Sequence, residues 1–289
     1  MSLSGFYKIS IIVVSFNSLD LLKDCLNSLF DNPLSNSFEV LVVDNASKDG
    51  SAEMVKRNFQ RVRLIENNIN IGFAAANNLA IKSSQSEYIL LINSDCQVYN
   101  DSLDNMVSFI SENENIGIVG PKIINSDGSI QFSCRRFPSI FDAGMHTLLT
   151  NIIPDNPFSK RYKLIDIKRD EPFEVDWVSG SCMLIRRKAL ADTGYMDENY
   201  FMYVEDIDIC YQMWEKGWKV FYCPYAEILH HVGGSTEGGA VSASVRMQKS
   251  VFYFFWKNYR KSWKVVLLPL ILAVLGLRIF LTFIKNLLK

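Results

Sequence analysis

The chain reads as an α/β protein, a mainly parallel central sheet flanked by helices, with a separate apolar helical segment at its C-terminal end. Three observations predict this. Short β-branched runs alternate with helical patterns, as in βαβ units. Ser, Asn and Asp gather just past successive strand ends, where open parallel sheets place their ligands. The charge is also divided. Nine of the 30 Lys and Arg fall from Arg246 onward with no Asp or Glu among them, leaving 21 against 31 acidic residues, about −10, before it.

The elements follow in order. Ile9 to Phe16 is a nearly continuous β-branched run, the mark of a strand buried on both faces. Asn17-Ser18 caps a helix with Leu21, Leu22, Cys25, Leu26 and Leu29 on one side. Phe38 to Val43 is a second strand ending in Asp44-Asn45-Ala46-Ser47, Lys48 to Phe59 a helix, and Val62 to Glu66 a third strand. Gly72 to Ser83 is a helix opened by small residues that would let a ligand approach its first amides, or would pack the helix on the sheet. Tyr88 to Ile92 is a fourth strand ending at Asn93-Ser94-Asp95. Ser102 to Asn113 is helical, Ile116 to Val119 a strand, and Asn125 to Ser129 a hairpin turn between Ile123 and Ile130. Pro154 to Pro172 reads as a polar, irregular surface excursion. Val175 to Ile185 returns to strand character, with Gly180-Ser181 as a bend where backbone approaches a ligand. Lys219 to Tyr222 is a strand, and Ala226 to His231 leads into the glycine-rich loop Val232 to Gly239.

Several chemistries are excluded. No GxGxxG or Walker lysine loop follows the first strand, which argues against a dinucleotide dehydrogenase or a P-loop enzyme. Ser181 is not in a GxSxG elbow, so a serine hydrolase is unsupported. The six cysteines are scattered without CxxC spacing, which predicts reduced thiols in a cytosolic setting. Met1 to Tyr7 has neither a basic region nor a long apolar stretch, so no cleaved secretion signal is expected.

The stretch most suited to chemistry is Phe201-Met202-Tyr203-Val204-Glu205-Asp206-Ile207-Asp208. Three carboxylates fall where an amphipathic helix begins, flanked by aromatics that limit water. A carboxylate there suits a general base, and the same placement also serves helix-dipole complementation; the stretch alone leaves both open. Histidines 230 and 231 could complete a metal site begun by Asp95, or make ordinary hydrogen bonds.

Taken together, Val13 to Asn17, Val42 to Ser47, Asn70-Ile71-Gly72-Phe73, Leu91 to Asp95, Met196-Asp197-Glu198, Phe201 to Asp206 and His231 to Gly234 resemble the family-2 nucleotide-sugar glycosyltransferases, especially their rhamnosyltransferase-like branch. The resemblance runs from about Ile9 to Gly239. It implies a GT-A fold, Rossmann-like, over residues 1–243, with a nucleotide-binding half (1–120) and an acceptor-binding half (121–243), followed by membrane-associated helices over 244–289. It also implies an inverting, metal-dependent transfer from a nucleoside-diphosphate sugar, with dTDP-rhamnose as the donor the branch suggests. By this resemblance Ser15, Asn17, Asp44, Asn45, Gly72, Asn77 and Asn93 serve the nucleotide sugar, and Asp95 binds Mg²⁺ or Mn²⁺ on the diphosphate. Asp206 is the base, Trp177 and Glu205 meet the acceptor, and His231 is the late metal contact with His230 its alternative. Two departures stand out. Asn93-Ser94-Asp95 replaces the Asp-x-Asp of many members, leaving one carboxylate for a cation that leans on substrate phosphates. Asn77 stands where related chains carry a basic residue.

At the C-terminal end, Ser250 to Lys264 is aromatic and basic, and Val265 to Ile284 is apolar apart from Pro269, Arg278 and Thr282. The length suits a bilayer, while Arg278 favours an interfacial or re-entrant helix over a single span, with that side chain snorkelling. Packing on the catalytic domain or at a homodimer contact is the other use of this segment. A basic, apolar tail points to an anionic membrane surface rather than nucleic acid. The expected partners are therefore a nucleotide sugar, a saccharide or lipid-linked acceptor, and the cytoplasmic face of the cell membrane. Competing readings are a non-catalytic nucleotide-sugar-binding or scaffold subunit of a membrane polysaccharide-assembly complex, supported by the missing first Asp, and a nucleotidyltransferase, disfavoured by the missing phosphate loop.

Overall fold

A computed structural model describes residues 7–32, 34–139, 156–231 and 239–287. Residues 232–238 of the glycine-rich loop expected at Val232 to Gly239, Pro154 with Asp155, and the first six residues lie outside the described residues.

The first half is built as expected. β1 (Ile9–Ser15), β2 (Phe38–Asp44), β3 (Val62–Glu66) and β4 (Tyr88–Asn93) are parallel and ordered β3-β2-β1-β4. They are linked by α1 (Leu19–Asp31), α2 (Ser51–Asn58) and α3 (Phe73–Lys82). β1 shows why the runs are continuous: Ile12 packs on one face of the sheet, while Ile9, Ile11 and Val13 pack on the other. The alanines of α3, Ala74, Ala76 and Ala80, are fully buried against the sheet.

The second half departs from a purely parallel plan. A short strand β5 (Cys96–Val98) and α4 (Ser102–Glu112) precede β6 (Ile116–Ile124), which turns back through Asn125 to Ser129 onto β7 (Ile130–Gln131). β8 (Cys134–Arg135) follows. Within the excursion expected at Pro154 to Pro172, Asn156 caps a short helix, α5 (Pro157–Lys163), by accepting from the Ser159 N–H, with Pro157 fixing its first turn. Tyr162 and Leu164 from this region are buried, so it belongs to the core. The run expected as one strand at Val175 to Ile185 is broken. β9 (Phe173–Glu174) joins the main sheet, β10 (Trp177–Val178) pairs with β8, and β11 (Cys182–Arg186) inserts antiparallel between β4 and β6.

α6 (Arg187–Thr193) and α7 (Glu205–Glu215) follow, then β12 (Lys219–His230), which runs parallel to β6 with a register shift between Cys223 and Glu227. Among the described residues, the main sheet runs β3-β2-β1-β4-β11-β6-β12-β5. The C-terminal ends of β1, β2, β4, β6 and β12 therefore share one rim. The six cysteines are buried and unpaired, as expected.

The C-terminal residues form α8 (Gly239–Tyr259), a 3₁₀ turn (Trp263–Leu267) and α9 (Leu268–Leu287). α8 packs into the core through Phe254 and Phe255. α9 buries Ile271 and Leu275 and exposes Leu270, Leu272, Leu277, Phe280 and Leu281. Trp263–Leu287 is long and apolar enough to cross a membrane, and little of it is buried.

Candidate active site

At the strand-end rim lies a cavity of about 780 Å³ whose wall includes Asn93, Ser94, Asp95, Ser181, Glu205, Asp206 and His230. Buried polar groups are normally paired. Here Asn93 Oδ1, Asp95 Oδ1, Ser181 Oγ, Glu205 Oε2 and Gln248 Oε1 are buried without a hydrogen-bond partner, and all five residues line the cavity. Such a concentration marks a surface shaped for a polar ligand.

Asp95 and Asp206 come from opposite halves of the chain. Asp95 follows β4, where the Asn93 N–H donates to the Ser181 carbonyl. His230 Nε2 lies 3.2 Å from Asp95 Oδ1 without completing a hydrogen bond. The Asp95 oxygen, His230 Nε2 and Cys96 Sγ lie within 4.8 Å of one another. Burial pushes the Cys96 thiol well above its ordinary value, and it points at the Ser181 carbonyl, so Cys96 stays a protonated thiol. The donors left are a carboxylate, an imidazole and the unpartnered Asn93 carbonyl oxygen. That set fits Mg²⁺ or Mn²⁺ completed by phosphate oxygens.

His231, expected as the late metal contact, is directed elsewhere. Its Nδ1 pairs with Ser126 Oγ at 2.9 Å and its Nε2 approaches Gln97 Nε2, while its backbone N–H donates to the Asp95 carbonyl. Neighbouring strand residues face opposite sides, so only one of the pair can point inward, and it is His230.

Asp206 is presented by an unusual helix start. Tyr203 and Val204 have φ of 71° and 74°, the left-handed region that β-branched residues avoid. The turn they make faces Asp206 toward Gly180, whose N–H donates to Oδ2 at 3.0 Å; the Ile207 N–H donates to Oδ1 at 2.9 Å. A Cβ on Gly180 would lie 3.3 Å from the Asp206 Cβ, which explains the small residue at the predicted bend. Burial pushes the Asp206 carboxyl above its ordinary value, against these backbone hydrogen bonds and the charge of Arg135. Glu205 is pushed well up by burial and by the charge of Asp206.

The remaining predicted residues divide. Asn45, Gly72, Asn93, Trp177 and Glu205 line the cavity. Asn45 is also a brace, donating to the Gly72 carbonyl and accepting from Asn67. Gly72 has φ of 87°, and a Cβ there would sit 2.6 Å from the Phe201 carbonyl oxygen, which accepts from the Phe73 N–H. The close approach expected of a ligand at the start of α3 is made instead by the Phe201 backbone. Trp177 donates through Nε1 to the Arg136 carbonyl.

Ser15, Asn17, Asp44 and Asn77 do not line the cavity. Ser15 Oγ shares a hydrogen bond with Ser18 Oγ, and Asn17 Oδ1 accepts from the Lys48 N–H. Asn77 is buried, donating to the Phe73 carbonyl within its own helix. Asp44 accepts from the Ser47 N–H through Oδ2, leaving Oδ1 buried without a partner. Sequence reasoning missed Arg135, Arg246, Gln248 and the inward role of Arg278, all cavity-lining. The Arg135-Arg136 doublet was the one visible signal.

Comparison with known proteins agrees with this geometry. The chain is 33% identical over 252 residues to an N-acetylglucosaminyl-diphospho-decaprenol L-rhamnosyltransferase of Mycobacterium tuberculosis, covering 83% of this chain and 81% of that protein. It is 25% identical over 235 residues to the rhamnosyltransferase WbbL of Escherichia coli, covering 76% and 82%. Among solved structures, GalNAc-T7 with UDP, GalNAc and Mn²⁺ superposes with a TM-score of 0.63 at 19% identity, over 89% of this chain and about half (49%) of that one. A mannosyltransferase of Pyrobaculum calidifontis with GDP-Man and Mn²⁺ gives 0.60 at 16% identity, over 95% and 74%. These likenesses show the GT-A fold. The sequence model described as Glycosyl transferase family 2 matches residues 10–194, and the chain belongs to that family, in its rhamnosyltransferase-like branch.

Proposed function

We propose that the protein is an inverting, metal-dependent glycosyltransferase. It moves a sugar, with dTDP-rhamnose the first donor to try, from a nucleoside diphosphate to a hydroxyl of a lipid-linked saccharide in surface polysaccharide synthesis. The observation that carries this is the crowding of unpartnered buried oxygens around Asp95 and Asp206 in one cavity. The relatives' names supply the substrate class.

In this reading residues 1–120 hold the donor and 121–243 the acceptor. Asp44 Oδ1 would accept from the nucleoside's base or ribose, and Asn93, Asp95 and His230 would hold a divalent cation against the donor diphosphate. When bound, that cation supplies positive charge to offset the charge developing on the departing nucleoside diphosphate. Asp206 takes the proton from the acceptor hydroxyl as that oxygen attacks, a role worth roughly 10²- to 10⁴-fold. Its two backbone hydrogen bonds fix the carboxylate's orientation, and its raised proton affinity suits a base. Attack from the Asp206 side with departure toward Asp95 inverts the anomeric carbon. The neutral first position of the metal motif was the support for a non-catalytic subunit; the unpartnered Asn93 oxygen beside Asp95 favours a working cation site instead.

The test is Asp206→Asn, assayed with nucleotide sugars and Mn²⁺. Transfer should fall by about 10²- to 10⁴-fold with donor affinity changed only a few-fold. Transfer at the parent rate removes Asp206 from the reaction.

A further inference from the structure

The polar cluster at Asp95 is braced from the hairpin that joins β6 to β7. Gln131 of β7 lies opposite Ile123 of β6, which in turn lies beside Ile228 of β12. Partners across a sheet share a face, and so do residues two apart on one strand, so Gln131 and His230 project to the same side. His230 Nδ1 and Gln131 Oε1 lie 2.9 Å apart, and both residues line the cavity. Parity thus pairs Gln131 with the inward histidine and leaves His231 to Ser126.

A chain of hydrogen bonds running out to the surface fixes which atom of this pair carries the hydrogen. Asp127 in the hairpin turn is exposed, and the Ser129 hydroxyl and N–H hold its carboxyl below its ordinary value, so it can only accept. Ser129 Oγ gives its hydrogen to Asp127 Oδ1 at 2.5 Å and must therefore accept from Asn125 Nδ2 at 2.9 Å. That orientation turns Asn125 Oδ1 to Gln131 Nε2, at 3.4 Å, and so turns Gln131 Oε1 to the imidazole. An amide oxygen accepts, so His230 Nδ1 bears the hydrogen, and in the neutral ring Nε2 keeps its lone pair. That nitrogen lies 3.2 Å from Asp95 Oδ1, which has no hydrogen-bond partner. Two lone pairs held so close repel unless a cation lies against both.

We propose that Gln131 is a positioning residue for the cation: it holds His230 in the Nδ1–H form, so that Nε2 offers its lone pair beside the Asp95 carboxylate. This rests on Asp95 and His230 as cation ligands and adds the residue that orients one of them, itself oriented through Asn125 and Ser129 from Asp127. A partner of this kind behind a ligating imidazole is typically worth about 10- to 100-fold in metal affinity.

The experiment uses the full chain in detergent micelles with its histidine rings labelled with ¹⁵N. The chain has three histidines, so the His230 signals are assigned by their loss in His230→Gln. At about pH 8, above the ordinary imidazole range, and with EDTA present, the His230 nitrogens should report the Nδ1–H tautomer. With EDTA removed, Mn²⁺ alone should broaden those signals, and its affinity is read from the electron paramagnetic resonance of the free ion. Gln131→Leu, which has no acceptor, should weaken Mn²⁺ binding about 10- to 100-fold and move the hydrogen to Nε2. Gln131→Glu keeps an acceptor, so it should keep the Nδ1–H form and bind Mn²⁺ no more weakly than the parent. An Nε2–H tautomer in the metal-free parent overturns the role of Gln131, whether or not any variant folds. A folded Gln131→Leu chain that keeps either the parent's tautomer or its Mn²⁺ affinity overturns it too. Mn²⁺ that leaves the His230 signals sharp in the parent removes His230 as a cation ligand, and the tautomer measured without metal separates that failure from the first.

Discussion

Tyr203 and Val204 hold left-handed backbone angles immediately before the carboxylate pair, and each such residue costs about 1–2 kcal/mol. Burial of Val204 and its carbonyl's bond from the Asp208 N–H hold the turn closed. Glu205 adds to the expense, since a buried carboxylate beside Asp206 binds its proton more tightly in the folded chain than in the unfolded one. The sign follows: the folded chain holds more protons, so stability falls as pH rises from the ordinary carboxylate value through the raised one. Glu205→Gln should therefore raise stability at pH 7 by about 1 kcal/mol, roughly 2 °C in melting temperature. Asp206 gives up its proton before Glu205 does, beside a still neutral neighbour, so the same change should leave the acid limb of the pH–rate profile in place. A melting curve and a pH series check both; a destabilised variant or a limb moved downward contradicts the account. The carboxylates at a helix mouth were legible in the sequence because dipole and spacing both mark them. The choice of His230 over His231 was not, because strand parity is set by the shift in β12 between Cys223 and Glu227, and one residue of slip exchanges inside for outside.

Between elements, the decisive joint ties α8 to the segment that carries Asp206. Lys257 Nζ donates to Asp197 at 2.8 Å and to Asp208 at 2.7 Å; Tyr253 donates to Asp197, Tyr200 to Asp208, and Ser250 to the Met202 carbonyl. Asp208 is almost fully buried, so losing its cation leaves a charge in the protein interior. Lys257→Met should cost about 2 kcal/mol, the partial exposure of Lys257 holding it below the full buried-pair penalty. It should lower kcat more than it raises the donor KM, because the loop it secures carries Asp206, the proposed base. A parent-like kcat with the same loss of stability would confine Lys257 to a structural role. The parallel half was readable to within a residue or two because its strands are continuous β-branched runs. β5, β9 and β10 were not, since two- and three-residue strands are defined by their partners rather than by any period of their own.

At the scale of the molecule, α8 and α9 do different jobs although the composition merges them into one basic, apolar tail. α8 is part of the core, whereas α9 turns most of its apolar surface outward. A chain stopped before Trp263 should stay folded, keep the Lys257 joint, and no longer sediment with vesicles containing anionic lipid. A chain stopped before Gly239 should aggregate, since Phe254 and Phe255 leave their neighbours exposed. Equal sedimentation of the full chain and the chain stopped before Trp263 would rule out α9 as the membrane contact. The divided charge was plain in the sequence, but the inward face of α9 was not, because Arg278 in an apolar helix reads equally as a snorkelling residue. That inward face has a practical consequence. In the proposed reading the helix that would meet the leaflet also lines the reaction cavity, so a glycolipid would arrive and depart sideways without its tail crossing bulk water. Long-tailed detergents would then behave as rivals for entry, and turnover measured in micelles should drop as the surfactant chain lengthens.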